Sequence, residues 1–149
     1  MRARPILYGL SALPLIIALY LHAAGPEVTV YKVSTCGCCL QWIEHLKANG
    51  FQVTVHEVGD TTEVSRSHGV PDALHTCHTA LVEGYTIEGH VPAADIQRLL
   101  KERPKAKGLA VPGMPLGSPG MEGSRRDTYS VLLFDAAGRT SVYREYKGN

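Results

Sequence analysis

The chain predicts an α/β fold, on three observations. Apolar residues alternate in Val28–Val33 and again at Phe51, Val53 and Val55. They recur at helical spacing in Leu40–Asn49 and in Pro92–Leu100. The two patterns follow one another along the chain, as they do in β-α-β units.

Val28, Val30 and Val33 with Tyr31 form the first strand, rich in β-branched and aromatic side chains. Leu40, Ile43, Leu46 and Trp42 form the apolar face of the first helix, which Asn49-Gly50 closes with a pair suited to a left-handed cap. Phe51, Val53 and Val55 make the second strand. Asp60-Thr61-Thr62-Glu63 resembles a capping box, and Gly69 before Val70-Pro71 ends a short second helix. Thr79–Val82 and Thr86–Glu88 flank a Glu83-Gly84-Tyr85 turn and read as a hairpin. Pro92–Leu100, with proline early and Ile96, Leu99 and Leu100 on one side, is the third helix. A β-α-β-α-β-β-α order of this kind, with a right-handed crossover and then an antiparallel pair, is that of a thioredoxin-like sheet covered by helices.

Beyond it, Gly108–Gly123 is dense in Pro and Gly and is expected to be a loop without a regular ladder. Thr128–Phe134 and Thr140–Tyr146 are expected to form a C-terminal β-hairpin that extends the sheet or covers an edge, with Gly138 at a positive-φ position between them. The expected organisation is a leader over 1–25, a thioredoxin-like domain over 26–103, a Pro/Gly-rich loop over 104–127, and the hairpin over 128–149 packed on the same domain.

With 149 residues, 44% of them hydrophobic and 19% charged, the chain suits one small domain and a leader. Fifteen Lys and Arg against 14 Asp and Glu leave no basic footprint for nucleic acid. Arg2 and Arg4 before the apolar stretch Ile6–Ala24 read as an export signal. Cleavage after Ala24 puts His22 three residues before the cut, and cleavage after Gly25 puts Pro26 just after it, so both removal and retention as a membrane anchor are open. The expected location is the periplasm or another extracytoplasmic space, anchored to the inner membrane if the leader stays.

Three of four cysteines lie at the junction of the first strand and first helix, in Thr35-Cys36-Gly37-Cys38-Cys39. Unpaired N–H groups and the helix dipole favour thiolate there. Cys36 and Cys39 have the Cys-x-x-Cys spacing of a redox pair. Cys38 fits that reading poorly, because consecutive Cα atoms about 3.8 Å apart are too close for an unstrained bond to Cys39. If the helix begins at Cys36, Cys38 points away from its neighbours. If Cys36 is still extended, all three sulfurs can converge, an arrangement better suited to a metal.

Cys77 adds a fourth sulfur. It lies just before the third strand, in the turn that faces the Cys-x-x-Cys helix in thioredoxin-like proteins, and His78-Thr79 stands where those proteins carry a cis-proline and threonine. Without that proline, disulfide exchange loses the group that aligns an incoming thiol. Four sulfurs and an imidazole make a soft site that suits Cu(I), or less well zinc. His78, His90, Met114 and Met121 are further candidate ligands. Each has an ordinary reading too: gap filling for the methionines, and a cap on the next helix for His90. His45, His56 and His68 are expected on solvated outer faces or ends, and Trp42 in the core. Two structural disulfides remain an alternative that the crowding at 36, 38 and 39 disfavours.

Thr35-Cys36-Gly37-Cys38-Cys39, Trp42 with Glu44-His45-Leu46, Thr76-Cys77-His78-Thr79-Ala80, Glu88-Gly89-His90-Val91-Pro92-Ala93 and Gly108-Leu109-Ala110-Val111-Pro112-Gly113-Met114-Pro115 resemble the CopG-type copper-resistance proteins. Those are small exported thioredoxin-like proteins, long catalogued as a domain of unknown function and often encoded beside copper efflux systems. The resemblance spans about Val28–Glu122. It implies a periplasmic copper site, holding one or several ions bridged by thiolates, with Cys36, Cys38, Cys39 and Cys77 as ligands. The partners it implies are copper ions and a copper efflux or copper-transfer protein, with membrane contact only through an uncleaved leader. Storage, delivery and redox handling of copper are all compatible with it. The alternative function is a thiol-disulfide oxidoreductase in which Cys36 attacks and Cys39 resolves.

Overall fold

A computed structural model describes residues 25–149, so the leader reading falls outside the described residues except at Gly25. In chain order the elements are β1 (Glu27–Val33), α1 (Gly37–Ala48), β2 (Gln52–Val58), α2 (Thr62–Ser67), a 3-10 turn (Asp72–Leu74), β3 (His78–Val82), β4 (Tyr85–Gly89), α3 (Ala93–Glu102), β5 (Gly108–Val111), β6 (Tyr129–Phe134) and β7 (Thr140–Tyr146). The seven strands form one sheet in the order β2-β1-β3-β4-β5-β6-β7. Among the described residues no helix is long and apolar enough to cross a membrane.

β1 pairs parallel with β2 across α1, and antiparallel with β3. β3 and β4 form a hairpin through Glu83-Gly84, whose φ angles of 45° and 88° suit the twist of a two-residue turn. Tyr85, expected in that turn, is the first residue of β4. α3 then carries the chain to β5, parallel to β4.

Alternation along the strands divides the core between two faces. Val28, Val30, Ile87, Leu109 and Val111 pack with Trp42, Ile43 and Leu46 of α1 and with Ile96 and Leu99 of α3. Ala110 and Phe134 point the other way, onto Val70 and Leu74 beside α2. Burying a leucine such as Leu46 or Leu99 contributes about 1.5–3 kcal/mol. Leu40, expected on the apolar face of α1, is instead 51% exposed, because it lies in the first turn at the open end of the sheet.

The stretch from Gly108 is the main correction. Gly108–Val111 is a fully buried strand linking β4 to the C-terminal hairpin, so β6 and β7 continue the sheet. Such a strand shows no alternation to read, since both its faces are covered. The capping box at α2 also differs. Thr61 makes no side-chain cap, and Asp60 Oδ1 instead accepts from the Thr62 N–H at 3.0 Å and the Thr62 hydroxyl at 2.8 Å. Gly50 and Gly138 take the expected positive φ angles, and Gly69, which ends α2, takes one as well.

Gly108 sits flat against the backbone of β4, where an added Cβ would run into the Thr86 carbonyl. Gly108→Ala is therefore expected to push β5 off β4 and cost about 2 kcal/mol or more. Thermal unfolding checks this, and an unchanged midpoint would show that β5 can shift freely.

Candidate metal centre

The site is assembled from two loops at one end of the sheet. Cys36 is the N-cap of α1, with extended backbone (φ −79°, ψ 96°), and its Sγ accepts the Cys39 N–H at 3.3 Å. Of the two arrangements open to the sequence, the structure adopts the extended approach, and the three sulfurs converge. The antiparallel β1–β3 pairing supplies the fourth. The Val33 N–H donates to the Cys77 carbonyl at 3.2 Å, placing Cys77 beside the start of α1.

All four Sγ atoms lie within 4.8 Å of one another. Cys36 and Cys39 are joined by a disulfide with a Cα–Cα distance of 5.4 Å, while Cys38 and Cys77 are free thiols. The Cys77 Sγ lies 3.1 Å from that of Cys36 and 3.3 Å from that of Cys39, and the Cys38 Sγ is 3.5 Å from that of Cys36. Cys36 and Cys39 are buried, whereas Cys38 and Cys77 are half-exposed and form the mouth. Burial, and then the neighbouring Cys38, push the Cys77 thiol up.

Met114 reaches the mouth from the loop after β5. Its Sδ is 3.7 Å from the Cys38 Sγ and 3.9 Å from that of Cys77. Met121 is half-buried further along, where its backbone N–H donates to the Ser118 carbonyl at 2.8 Å. Gly120, at φ +87°, lets that loop close over α1. A Cβ there would lie 2.8 Å from the Cys38 carbonyl oxygen and 3.0 Å from the Trp42 nitrogen.

The histidines part company. His78 is fully buried, its Nε2 donating to the Gly89 carbonyl at 3.0 Å while its Nδ1 has no partner. Its ring lies against Trp42, at 4.5 Å between centroids, and His90, at 5.2 Å. His90 is also fully buried, with its ring towards the Pro119 backbone, and does not cap α3. His45 does so instead, correcting its expected exposure: its half-buried Nε2 accepts the Ala93 N–H at 3.1 Å. His56 is exposed, and half-buried His68 bonds the Val64 carbonyl at 2.8 Å. Trp42 is in the core as expected, its Nε1 donating to the Val91 carbonyl at 2.8 Å.

Two buried charged residues hold the cysteine-bearing loops, and neither was singled out from the sequence as a site residue. Lys32 Nζ bonds the Val33 carbonyl at 3.1 Å, the Ser34 carbonyl at 3.5 Å and Glu57 Oε1 at 3.0 Å, on the approach to Cys36. Its position could have been read from parity, for it shares a face with Val28 and Val30. Glu88 Oε1 accepts from the Thr76 N–H at 2.6 Å and hydroxyl at 2.8 Å, and Oε2 from the Thr79 hydroxyl at 2.7 Å. Alternation places it opposite Ile87, but nothing local announces that Thr76 covers it.

These features define an α/β protein with a half-open cluster of four cysteine sulfurs at the end of its sheet. A family model described as "Protein of unknown function, DUF411" matches residues 74–121. Two solved structures, titled copper resistance protein CopG form 1 and form 2, each match with a TM-score of 0.78. They are 50% and 49% identical to this chain, and each match covers 82% of this chain and 98% of the other. No curated protein sequence matches. The chain belongs to the CopG copper-resistance family.

Burial, then the neighbouring His90, lower His78 to about 3, and burial raises Glu88 to about 7. Their effects on stability have opposite signs. The His78 contribution is complete above its ordinary 6.5 and drains away as pH falls towards about 3. The Glu88 contribution is complete below its ordinary 4.5 and is lost as pH rises through about 7. In metal-free protein, His78→Gln is expected to flatten the acid arm of stability below pH 4.5, and Glu88→Gln to remove the opposing slope above it. Urea titrations across this range check both, and an acid arm equally steep in His78→Gln would contradict the assignment.

Proposed function

We propose that the reduced protein binds copper as Cu(I) through Cys36, Cys38, Cys39 and Cys77, in an extracytoplasmic compartment, as part of copper tolerance. The convergence of four sulfurs within 4.8 Å carries this reading. Thiolates are soft donors suited to Cu(I), and a cluster this tight lets one sulfur serve more than one ion. Met114 adds a thioether at the mouth, where an ion would enter. The titles of the two matched structures, both of a copper resistance protein, support the choice of metal.

The Cys36–Cys39 disulfide is then the oxidised, metal-free form. Two electrons reduce it to two thiolates, and because ligating cysteines must be deprotonated, affinity falls as pH drops.

That same disulfide, at a helix N-terminus with Cys-x-x-Cys spacing, favours the second reading, a thiol-disulfide oxidoreductase. The placement of Cys77 supports copper over it. In that reading Cys36 attacks and Cys39 resolves, so Cys77 has no step to perform. The Cys77 Sγ is 3.1 and 3.3 Å from the two, alongside the bond, as a co-ligand would be.

Anaerobic Cu(I) titration against a competing chelator tests the proposal, with metal per protein measured on reduced and oxidised samples. Reduced protein is expected to bind tightly, and oxidised protein, left with two thiols, to bind far more weakly. Cys77→Ala should lose more than about 100-fold in affinity, since even groups behind the ligands are worth about 10- to 100-fold. Full binding by Cys77→Ala would end the four-cysteine reading. Reduction of a disulfide substrate by metal-free protein, abolished by Cys36→Ser but kept by Cys77→Ala, would establish the oxidoreductase.

A further inference from the structure

We infer that Glu88 is the positioning residue of the metal centre: its buried carboxylate grips Thr76 and Thr79 on either side of Cys77 and so aims the Cys77 sulfur at Cys36 and Cys39. The inference rests on the four-cysteine reading above.

Cys77 sits between the 3-10 turn and β3, the only one of the four cysteines outside the helix start. A residue in such a turn has no helix to orient it, so its sulfur is placed by whatever holds its neighbours. Thr76 is held at every polar atom. Its N–H and hydroxyl meet Glu88 Oε1 at 2.6 and 2.8 Å, the hydroxyl shared with the His78 carbonyl at 3.0 Å, and its carbonyl accepts the Thr61 hydroxyl at 2.9 Å. On the other side Thr79, which faces Glu88 in the β3–β4 ladder, gives its hydroxyl to Oε2 at 2.7 Å. Cys77 itself keeps its carbonyl for the Val33 N–H. The segment is therefore tied to β4 through Glu88 and to β1 through its own backbone, and the sulfur emerges from a fixed frame.

A fully buried carboxylate is a poor way to stabilise a sheet, since desolvation consumes much of what its bonds return. It is an effective way to fix a strand entrance, because three donors converge on two oxygens with little freedom left. Lys32 has the matching role on the other loop, where its ammonium gathers the Val33 and Ser34 carbonyls before Cys36. The two cysteine loops are thus each anchored by a buried ionisable side chain on a neighbouring stretch of sheet.

The test compares Cu(I) affinity of the reduced full chain across variants, by competition with a chelator. Glu88→Ala is expected to lose about 10- to 100-fold, as groups that orient metal ligands do. Glu88→Gln keeps an acceptor for the Thr76 N–H and a polar group for Thr79, and should restore affinity to within about threefold of the parent. Leu99→Ala, a core truncation in α3 away from both loops, serves as the stability control and should lower the unfolding midpoint while leaving affinity unchanged. Should Glu88→Ala fail to fold, Thr76→Val removes one of the three bonds and should lower affinity by about three- to tenfold. Affinity unchanged in Glu88→Ala, or in Thr76→Val where that stands in, would overturn the inference. So would an equal loss in Leu99→Ala, which would tie affinity to stability alone. Full binding by Cys77→Ala would instead remove the four-cysteine reading beneath it.

Discussion

The cysteine cluster depends on the register between β1 and β3. Those strands are antiparallel, with Lys32 opposite His78 and Tyr31 opposite Thr79, and the pairing ends with the Val33 N–H on the Cys77 carbonyl. Cys36 and Cys77 are 41 residues apart in the chain, and this ladder brings together the two loops whose sulfurs lie 3.1 Å apart. A slip of one residue would turn every side chain of β3 to the opposite face. Ala80 and Val82 would leave the core and His78 would leave Trp42. The burial of ordinary apolar side chains thus sets the geometry of the cysteines, and the centre draws its rigidity from the sheet.

What could be read from the sequence was whatever leaves a local period. β1, α1 and α3 carry clear alternation or helical spacing, and the glycine punctuation at 50, 69 and 138 marks real left-handed positions. The cysteine junction was legible for a similar reason, because a strand followed at once by a helix leaves little doubt about where Cys36, Cys38 and Cys39 lie. Bringing Cys77 to the same point needed the order of strands as well, and the spaced motifs shared with CopG-type proteins supplied the metal. What escaped was set by distant partners. β5 is four residues with both faces covered, beside a run of prolines and glycines, so neither alternation nor length betrays it. His45 looks like a surface histidine of α1 until α3 folds against it and offers the Ala93 N–H. Glu88 reads as a polar strand residue until Thr76 is laid over it.

The cluster is made of sulfur, on loops that buried polar groups hold in place. Behind the mouth formed by Cys38, Cys77 and Met114 lie the disulfide, then His78 and His90, and then the apolar interior. The buried imidazoles stay neutral because charging either would strand a cation among apolar groups. The His78 Nδ1, without a partner among the described residues, is an uncommon cost for so small a domain. Met114 stands apart, at the rim, on a left-handed residue between Gly113 and Pro115.

Trp42 is the single tryptophan in the chain. Its indole lies against His78, the residue that follows Cys77, and is tied to the Val91 carbonyl at its far end. The chain therefore carries its own optical reporter. The indole is walled off from solvent, so its emission answers chiefly to the imidazole against it. A change of state at the cysteine cluster is expected to register in native fluorescence, with no label attached to the thiols under study.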